Sequence, residues 1–317
     1  MNKFKKLGVS ALAGSLAAFS AQAAELSFSG DSSVSYTSGG QTAVASGAQG
    51  VSADVGMSFS ASGEMDNGWN VTVTQIIDSS DGASGAIMDT RKMAIDMGDN
   101  GTFTFYGDGG SSVSSAKDDT TPTAGEEAWG DVTGASAALA GGTSNNMMYY
   151  SNSSLMDGVT VDVSYVPSGA SQAESSMDYG VSYTGIDGLT IGVVEGENTA
   201  TAGAHTDTTI LYANYAMDSI TVGFTSSEQD SETANSDIDF SAMGISYAAS
   251  EELSVSLNSS THDYELATKS DQEAFGISVS YVMGSMTLSA NHNTVDNAAG
   301  TASDDRSGYN LALAFAF

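Results

Sequence analysis

The residues that most restrict this chain are its last nine. In Tyr309-Asn310-Leu311-Ala312-Leu313-Ala314-Phe315-Ala316-Phe317 every odd position is large and apolar, and every even one is small or polar. A strand turns successive side chains to opposite faces, so this segment has one greasy face and one that is not. The same dyad recurs along the chain. Val51, Ala53, Val55, Met57 and Phe59 alternate with Ser52, Asp54 and Ser58; Val159, Val161, Val163 and Tyr165 alternate with Thr160, Asp162 and Ser164; Phe275, Ile277, Val279 and Tyr281 alternate with Gly276, Ser278 and Ser280. A soluble sandwich alternates too, but it turns its large residues inward and its charged ones to water. Here the polar face is mostly Ser, Thr, Gly and Asn, with little Lys or Glu. That composition suits a polar lumen, with the large face toward lipid.

Sixteen such segments can be drawn, at 25–37, 50–63, 68–79, 86–98, 101–107, 143–152, 157–166, 175–185, 188–197, 206–217, 219–228, 237–248, 252–262, 271–282, 285–295 and 306–317. The number is even, as a single-chain bacterial barrel requires. The connections alternate in length: short ones such as Asp187-Gly188 lie between longer stretches rich in Ser, Asp, Gly and Thr. The fold expected is an all-β, transmembrane antiparallel barrel of about sixteen strands. A third long loop, from Asp108 to Gly142, is expected to fold into the pore, because loops of this length inside a compact chain are usually functional.

The N-terminus reads as a targeting segment. Lys3, Lys5 and Lys6 precede an uncharged apolar run from Leu7 to Phe19, followed by Ala21-Gln22-Ala23. That is the three-part pattern of a secretory signal peptide, giving residues 1–23 as signal and 24–317 as the barrel domain. The chain has no cysteine, so no disulfide framework holds it. Its formal net charge is −31, and beyond residue 23 only five basic residues stand against 39 acidic ones. Such a surface repels nucleic acid.

These charges supply the candidate site. The long loop carries Asp108, Asp118, Asp119, Glu126, Glu127 and Asp131 against one Lys117, and is read as the pore constriction. Strand parity turns Asp31, Asp54, Asp96 and Asp162 toward the lumen, together with the basic residues Lys92 and Arg306. Arg91 falls on the opposite face from Lys92, where lipid contact near mid-membrane costs ~2–4 kcal/mol. The cluster Asp118, Asp119, Glu126 and Glu127 is also a candidate Ca²⁺ site, since hard cations take carboxylate oxygens. No cofactor is required. His205, His262 and His292 show no metal-ligand spacing and are read as solvated, no G-x-S-x-G occurs, and no enzyme activity is expected.

With these residues in view, the chain resembles the sixteen-stranded general porins of Gram-negative bacteria, especially the alphaproteobacterial type. Glu25-Leu26-Ser27-Phe28-Ser29-Gly30-Asp31 is similar to that family's first strand, Gly101-Thr102-Phe103-Thr104-Phe105-Tyr106-Gly107-Asp108 to its fifth, and Phe317 to its terminal aromatic. The resemblance implies an outer-membrane homotrimer among lipids that passes small hydrophilic solutes, with the third loop as an eyelet facing a basic wall. The sparse basic residues here depart from that wall, so passive diffusion with a preference for cations is expected. Two other readings stay open: a substrate-specific outer-membrane channel, and a secreted, non-channel β-rich surface protein of adhesin or surface-layer type.

Overall fold

The computed structural model describes residues 25–39, 48–78, 88–139, 145–169, 174–201 and 204–317. The expected signal peptide lies outside them. The described strands are β1 (Glu25–Gly39), β2 (Ala48–Glu64), β3 (Asn70–Asp78), β4 (Met88–Asp96), β5 (Thr102–Asp108), β6 (Met147–Met156), β7 (Val159–Val166) and β8 (Ser176–Ile186). They continue with β9 (Leu189–Thr201), β10 (Ala204–Met217), β11 (Ile220–Ser231), β12 (Ile238–Ala248), β13 (Leu253–Tyr264), β14 (Gln272–Met283), β15 (Met286–Asp296) and β16 (Arg306–Ala316). Each pairs antiparallel with its neighbour in sequence, and β1 closes on β16, so the sheet is a closed barrel without free edges. Beyond the ladder, Phe317 and Gly30 exchange two backbone hydrogen bonds of 2.7 and 2.8 Å, which carries the closing seam to the last residue.

All sixteen expected strands are present, with two differences of note. The sixth runs about four residues later than the period-two pattern suggested, because a register shift after Asn152 lets the strand pair with β7 again at Met156 and Val159. The ninth and tenth reach Thr201 and Ala204, so the long loop expected there is a continuation of the hairpin ladder.

The alternation resolves as the period requires. Leu257, Ile277 and Leu311 stand on the outer face and are exposed in the single chain, while Ser256, Asn258 and Ser278 face inward and are buried. At one end of the barrel the strands are joined by tight turns, as at Asp187-Gly188, where Gly188 has φ 74°. Near this end β8, β10, β12 and β14 each carry an outward tyrosine: Tyr183, Tyr215, Tyr247 and Tyr281. An apolar belt edged by aromatic residues is the outer surface of a membrane barrel. Leu257→Arg, near the middle of that belt, is expected to destabilise the barrel by ~2–4 kcal/mol, read as a lower urea midpoint in lipid vesicles. An unchanged midpoint would mean that this face does not meet lipid.

Among the described residues the buried apolar clusters lie inside the barrel, between loop and wall. Val113 packs on Val194, Ile210 and Tyr212; Ala128 and Val132 pack on Ala274, Val295 and Ala298; Leu139 packs on Phe240 and Ala242. The loop that follows β5 is therefore a packed element within the lumen.

Candidate functional site

The third loop leaves β5 at Asp108, which is a strand residue and not part of the constriction expected for it. The cause is a register shift between Arg91 and Lys92 that pairs Asp108 with Arg91. Their side chains are 3.7 Å apart and both partly exposed. The alternation that turns Lys92 inward leaves Arg91 outward, and Asp108 answers its charge.

From there the loop runs along the inner wall, and side chains of the wall satisfy its backbone. Asp178 accepts from the Ser114 N–H at 3.0 Å and from its hydroxyl at 2.6 Å, and the Val113 N–H donates to Ser164 Oγ at 3.0 Å. Asn214 and Asn258 donate to the carbonyls of Thr120 and Pro122 at 2.7 and 3.0 Å. The Ala124 N–H donates to Ser256 Oγ at 2.8 Å. Asn293 donates to the carbonyls of Glu127 and Gly130 at 2.8 and 2.6 Å. Gln272 exchanges two bonds with the Ser136 backbone, at 2.8 and 2.9 Å, and His262 Nε2 meets the Ala137 carbonyl at 2.7 Å. His262 is fully buried, which corrects its reading as a solvated histidine: the docked loop takes the place of water. Period-two patterning puts His262 on the inner face but cannot say that a segment 125 residues away covers it.

These contacts come from β7 to β16. Among the described residues no hydrogen bond joins residues 117–139 to β1, β2, β3 or β4, so the loop lines one side of the lumen and those strands line the other. The loop side carries Asp118, Asp119, Glu126 and Glu127. Burial against the loop pushes Asp118 up to about 7, and burial, with the Glu127 carboxylate beside it, pushes Asp119 up to about 8. Asp119 is nonetheless exposed. Glu126 is raised as well, by burial and then by Glu127.

Asp131 is an anchor: its carboxylate accepts from Asn291 at 2.9 Å and Asn310 at 3.2 Å. The Ca²⁺ expectation does not carry forward. Among the described residues no three His, Cys, Asp or Glu side chains are arranged to hold a metal ion. Asp119 and Glu127 instead lie close enough for the Glu127 carboxylate to raise Asp119.

The opposite side is acidic too. Asp31 on β1 and Asp78 on β3 flank Gly56 of β2 in one row, and Gly56 leaves room for Asp31, whose Oδ1 would lie 2.6 Å from a Cβ there. Asp54 stands beside Asp78. Asp78 was missed from the sequence, although it shares the face of Thr72 and Thr74 and parity alone could have found it. Asp96 sits at the tight-turn mouth, where it accepts from the Gly98 N–H at 2.9 Å. Asp162 is buried on β7.

The two basic wall residues differ. Lys92 lies on β4 between Thr74 and Tyr106. Arg306 is held by both oxygens of Asp304, at 2.9 and 2.6 Å, and donates to the Thr133 carbonyl of the loop. Its charge is neutralised and used to seat the loop.

A sixteen-stranded closed barrel with an apolar outer belt and a loop packed in its lumen is a channel architecture. A family model described as Gram-negative porin matches residues 8–317. The chain belongs to the Gram-negative porins. The porin is similar in structure to a variant of the Rhodobacter blastica porin (TM-score 0.66, 14% identity, 92% of this chain and 100% of that one). It is similar also to the anion-selective porin from Comamonas acidovorans (TM-score 0.69, 14% identity, 93% and 100%). A loop L8 deletion variant of OmpT, an outer membrane protein of Vibrio cholerae, aligns equally well (TM-score 0.69, 14% identity, 93% and 100%). At such identity the likeness concerns the fold. No curated protein sequence matches the chain. The membership and the barrel make this an outer-membrane porin, in place of the adhesin or surface-layer alternative. Porins are channels, which agrees with the expectation of no enzyme activity.

Proposed function

We propose that this porin passes small hydrophilic solutes by passive diffusion and favours cations. The observation that carries the reading is the presence of carboxylates on both sides of the lumen: Asp118, Asp119, Glu126 and Glu127 on the loop, and Asp31, Asp54 and Asp78 on the wall across from it. Low-dielectric walls focus such charge onto the path between them, which enriches cations and repels anions. The fold itself does not set the sign, since one similar barrel is the anion-selective porin from Comamonas acidovorans. Reversal potential across a planar bilayer under a salt gradient tests the reading. A potential with the sign of a cation conductor supports it, and one with the sign of an anion conductor overturns it.

The working unit is read as a homotrimer in outer-membrane lipid. The tyrosine edge present on β8, β10, β12 and β14 is missing from β2 and β4, where Ala61, Gly63, Met93 and Ile95 take its place. The outer face of β4 and β5 also carries the Arg91–Asp108 pair, which lipid would penalise and a neighbouring subunit would not. Light scattering in mild detergent is expected to give three chains per particle, and Arg91→Ala to lower the temperature at which they part. A monodisperse monomer would count against this assembly.

A further inference from the structure

The loop touches the wall along a line. On β10 Asn214 pairs with Gly223 of β11, which pairs with Gly244 of β12, which pairs with Asn258 of β13. The line continues from Asn258 to Gly276 of β14, then to Asn293 of β15, and ends at Gly308 of β16. One unbroken row, at one register level on seven strands, thus holds only asparagine and glycine. All face inward and all lie beneath the loop.

The two residue types do complementary things. Each asparagine reaches a loop carbonyl: Thr120, Pro122, or the pair Glu127 and Gly130. Each glycine clears the space between those reaches. A Cβ on Gly244 would lie 2.8 Å from the Pro122 oxygen, and one on Gly276 would lie 3.0 Å from Ala128 Cα. A Cβ on Gly223 or Gly308 would collide with the Pro122 ring or the Asp131 carbonyl. At Gly223, Gly244 and Gly276 an added Cβ would first meet the donor asparagine beside it, and loop backbone stands next at Gly244, Gly276 and Gly308, where it cannot swing away as a flexible side chain can. Side chains in place of the glycines would hold the loop off the wall. Apolar residues in place of the asparagines would leave its carbonyls without donors.

We propose that this asparagine and glycine row is a docking rail that sets how far the third loop stands from the wall, and hence the bore of the channel. These are positioning residues: none carries charge, and none need touch the permeating solute. The inference rests on the channel reading above, and the two can fail separately.

The test uses the full-length porin in three forms. The first replaces glycines (Gly276→Val with Gly308→Val), the second removes donors (Asn258→Ala with Asn293→Ala), and the third is a control, Gly50→Val on β2, away from the rail, where a Cβ meets nothing within 4 Å. Each is also made with the reporter pair Gly125→Cys and Ser278→Cys. A Cβ on Gly125 would lie 3.1 Å from that of Ser278, close to disulfide spacing, and the chain has no cysteine of its own. The reporter reads docking without any ion flow.

In the control the cross-link is expected to form and conductance to match the parent. The valine form is expected to lose roughly half of its single-channel conductance as the loop is pushed into the lumen, and to cross-link slowly. The alanine form is expected to cross-link slowly and to show a noisier open channel. Heat-resistant migration on a gel certifies that the barrels are folded. If the valine form does not fold, the milder Gly276→Ala takes its place. Folded rail variants with parental cross-linking and conductance overturn the rail. A parent that cross-links but conducts nothing overturns the channel reading and leaves the rail standing.

Discussion

Potassium is expected to pass this channel ahead of chloride at about 0.1 M salt, and its lead is expected to grow as pH rises from about 6 to about 9. The groups responsible are on the loop. Asp118 ionises near 7 and Asp119 near 8, both held back by burial, with Glu127 adding its repulsion at Asp119. Below neutrality both are largely protonated and the loop side is weakly charged. Above pH 8 both carry charge, and the field on the path strengthens. The two midpoints lie about one pH unit apart, so one broad transition is expected. The same raised values act on docking. Between the ordinary carboxylate range and pH 7 to 8 a freed loop binds fewer protons than a docked one, so docking weakens as pH rises through that window. Replacing Asp118 and Asp119 by Asn and Glu126 and Glu127 by Gln is expected to flatten the pH dependence and reduce the cation preference, leaving the part due to Asp31, Asp54 and Asp78. Selectivity is also expected to fade between about 0.1 and about 1 M salt, as the screening length drops from ~10 to ~3 Å. A reversal potential independent of pH in the parent protein would place the selective charge elsewhere than on these residues.

Excising the loop is expected to give the largest change in conductance. With residues 112–139 replaced by a short Gly-Ser link, the lumen loses the element that fills its β7 to β16 side, and single-channel conductance is expected to rise several-fold, by roughly a factor of 2–5. The barrel is expected to close all the same, since every ladder from β1 to β16 is made without the loop. Its stability is expected to fall, because Val194, Ile210, Phe240 and Val295 then face water inside the lumen. An excised form with parental conductance would mean that the loop does not narrow the path.

How much of this was legible in the chain differs by element. Strand number and face came directly from period-two alternation, and Leu311, Leu257 and Ile277 lie outward as parity dictates. The sixth strand was displaced, since Met147 to Asn152 mixes Met, Tyr and Asn without a clean dyad. Parity turns Asp31, Asp54 and Lys92 inward, and Asp78 with them. Parity misread the roles of others. Asp108 was taken for loop because a register shift has no signature in composition. Asp131 was taken for free charge because Asn291 and Asn310, its partners, lie more than 150 residues downstream.

The sequence by itself determined what alternation and charge can encode: a membrane barrel, the face each strand turns to lipid, and a strongly acidic chain. These are local properties, read over two to ten residues, and a one-residue slip would turn every side chain to the wrong face. Only the tertiary structure decided which residues the loop meets. It seated His262 and Arg306 beneath the loop, put the carboxylates of β1 to β3 across from Asp118 and Asp119, and brought Asn214, Gly244, Gly276 and Gly308 into one row. Such contacts join residues far apart in the chain, and they exist because the closed ladder sets every strand at a fixed height beside its neighbours. Register is a property of pairs of strands, so no single segment carries it.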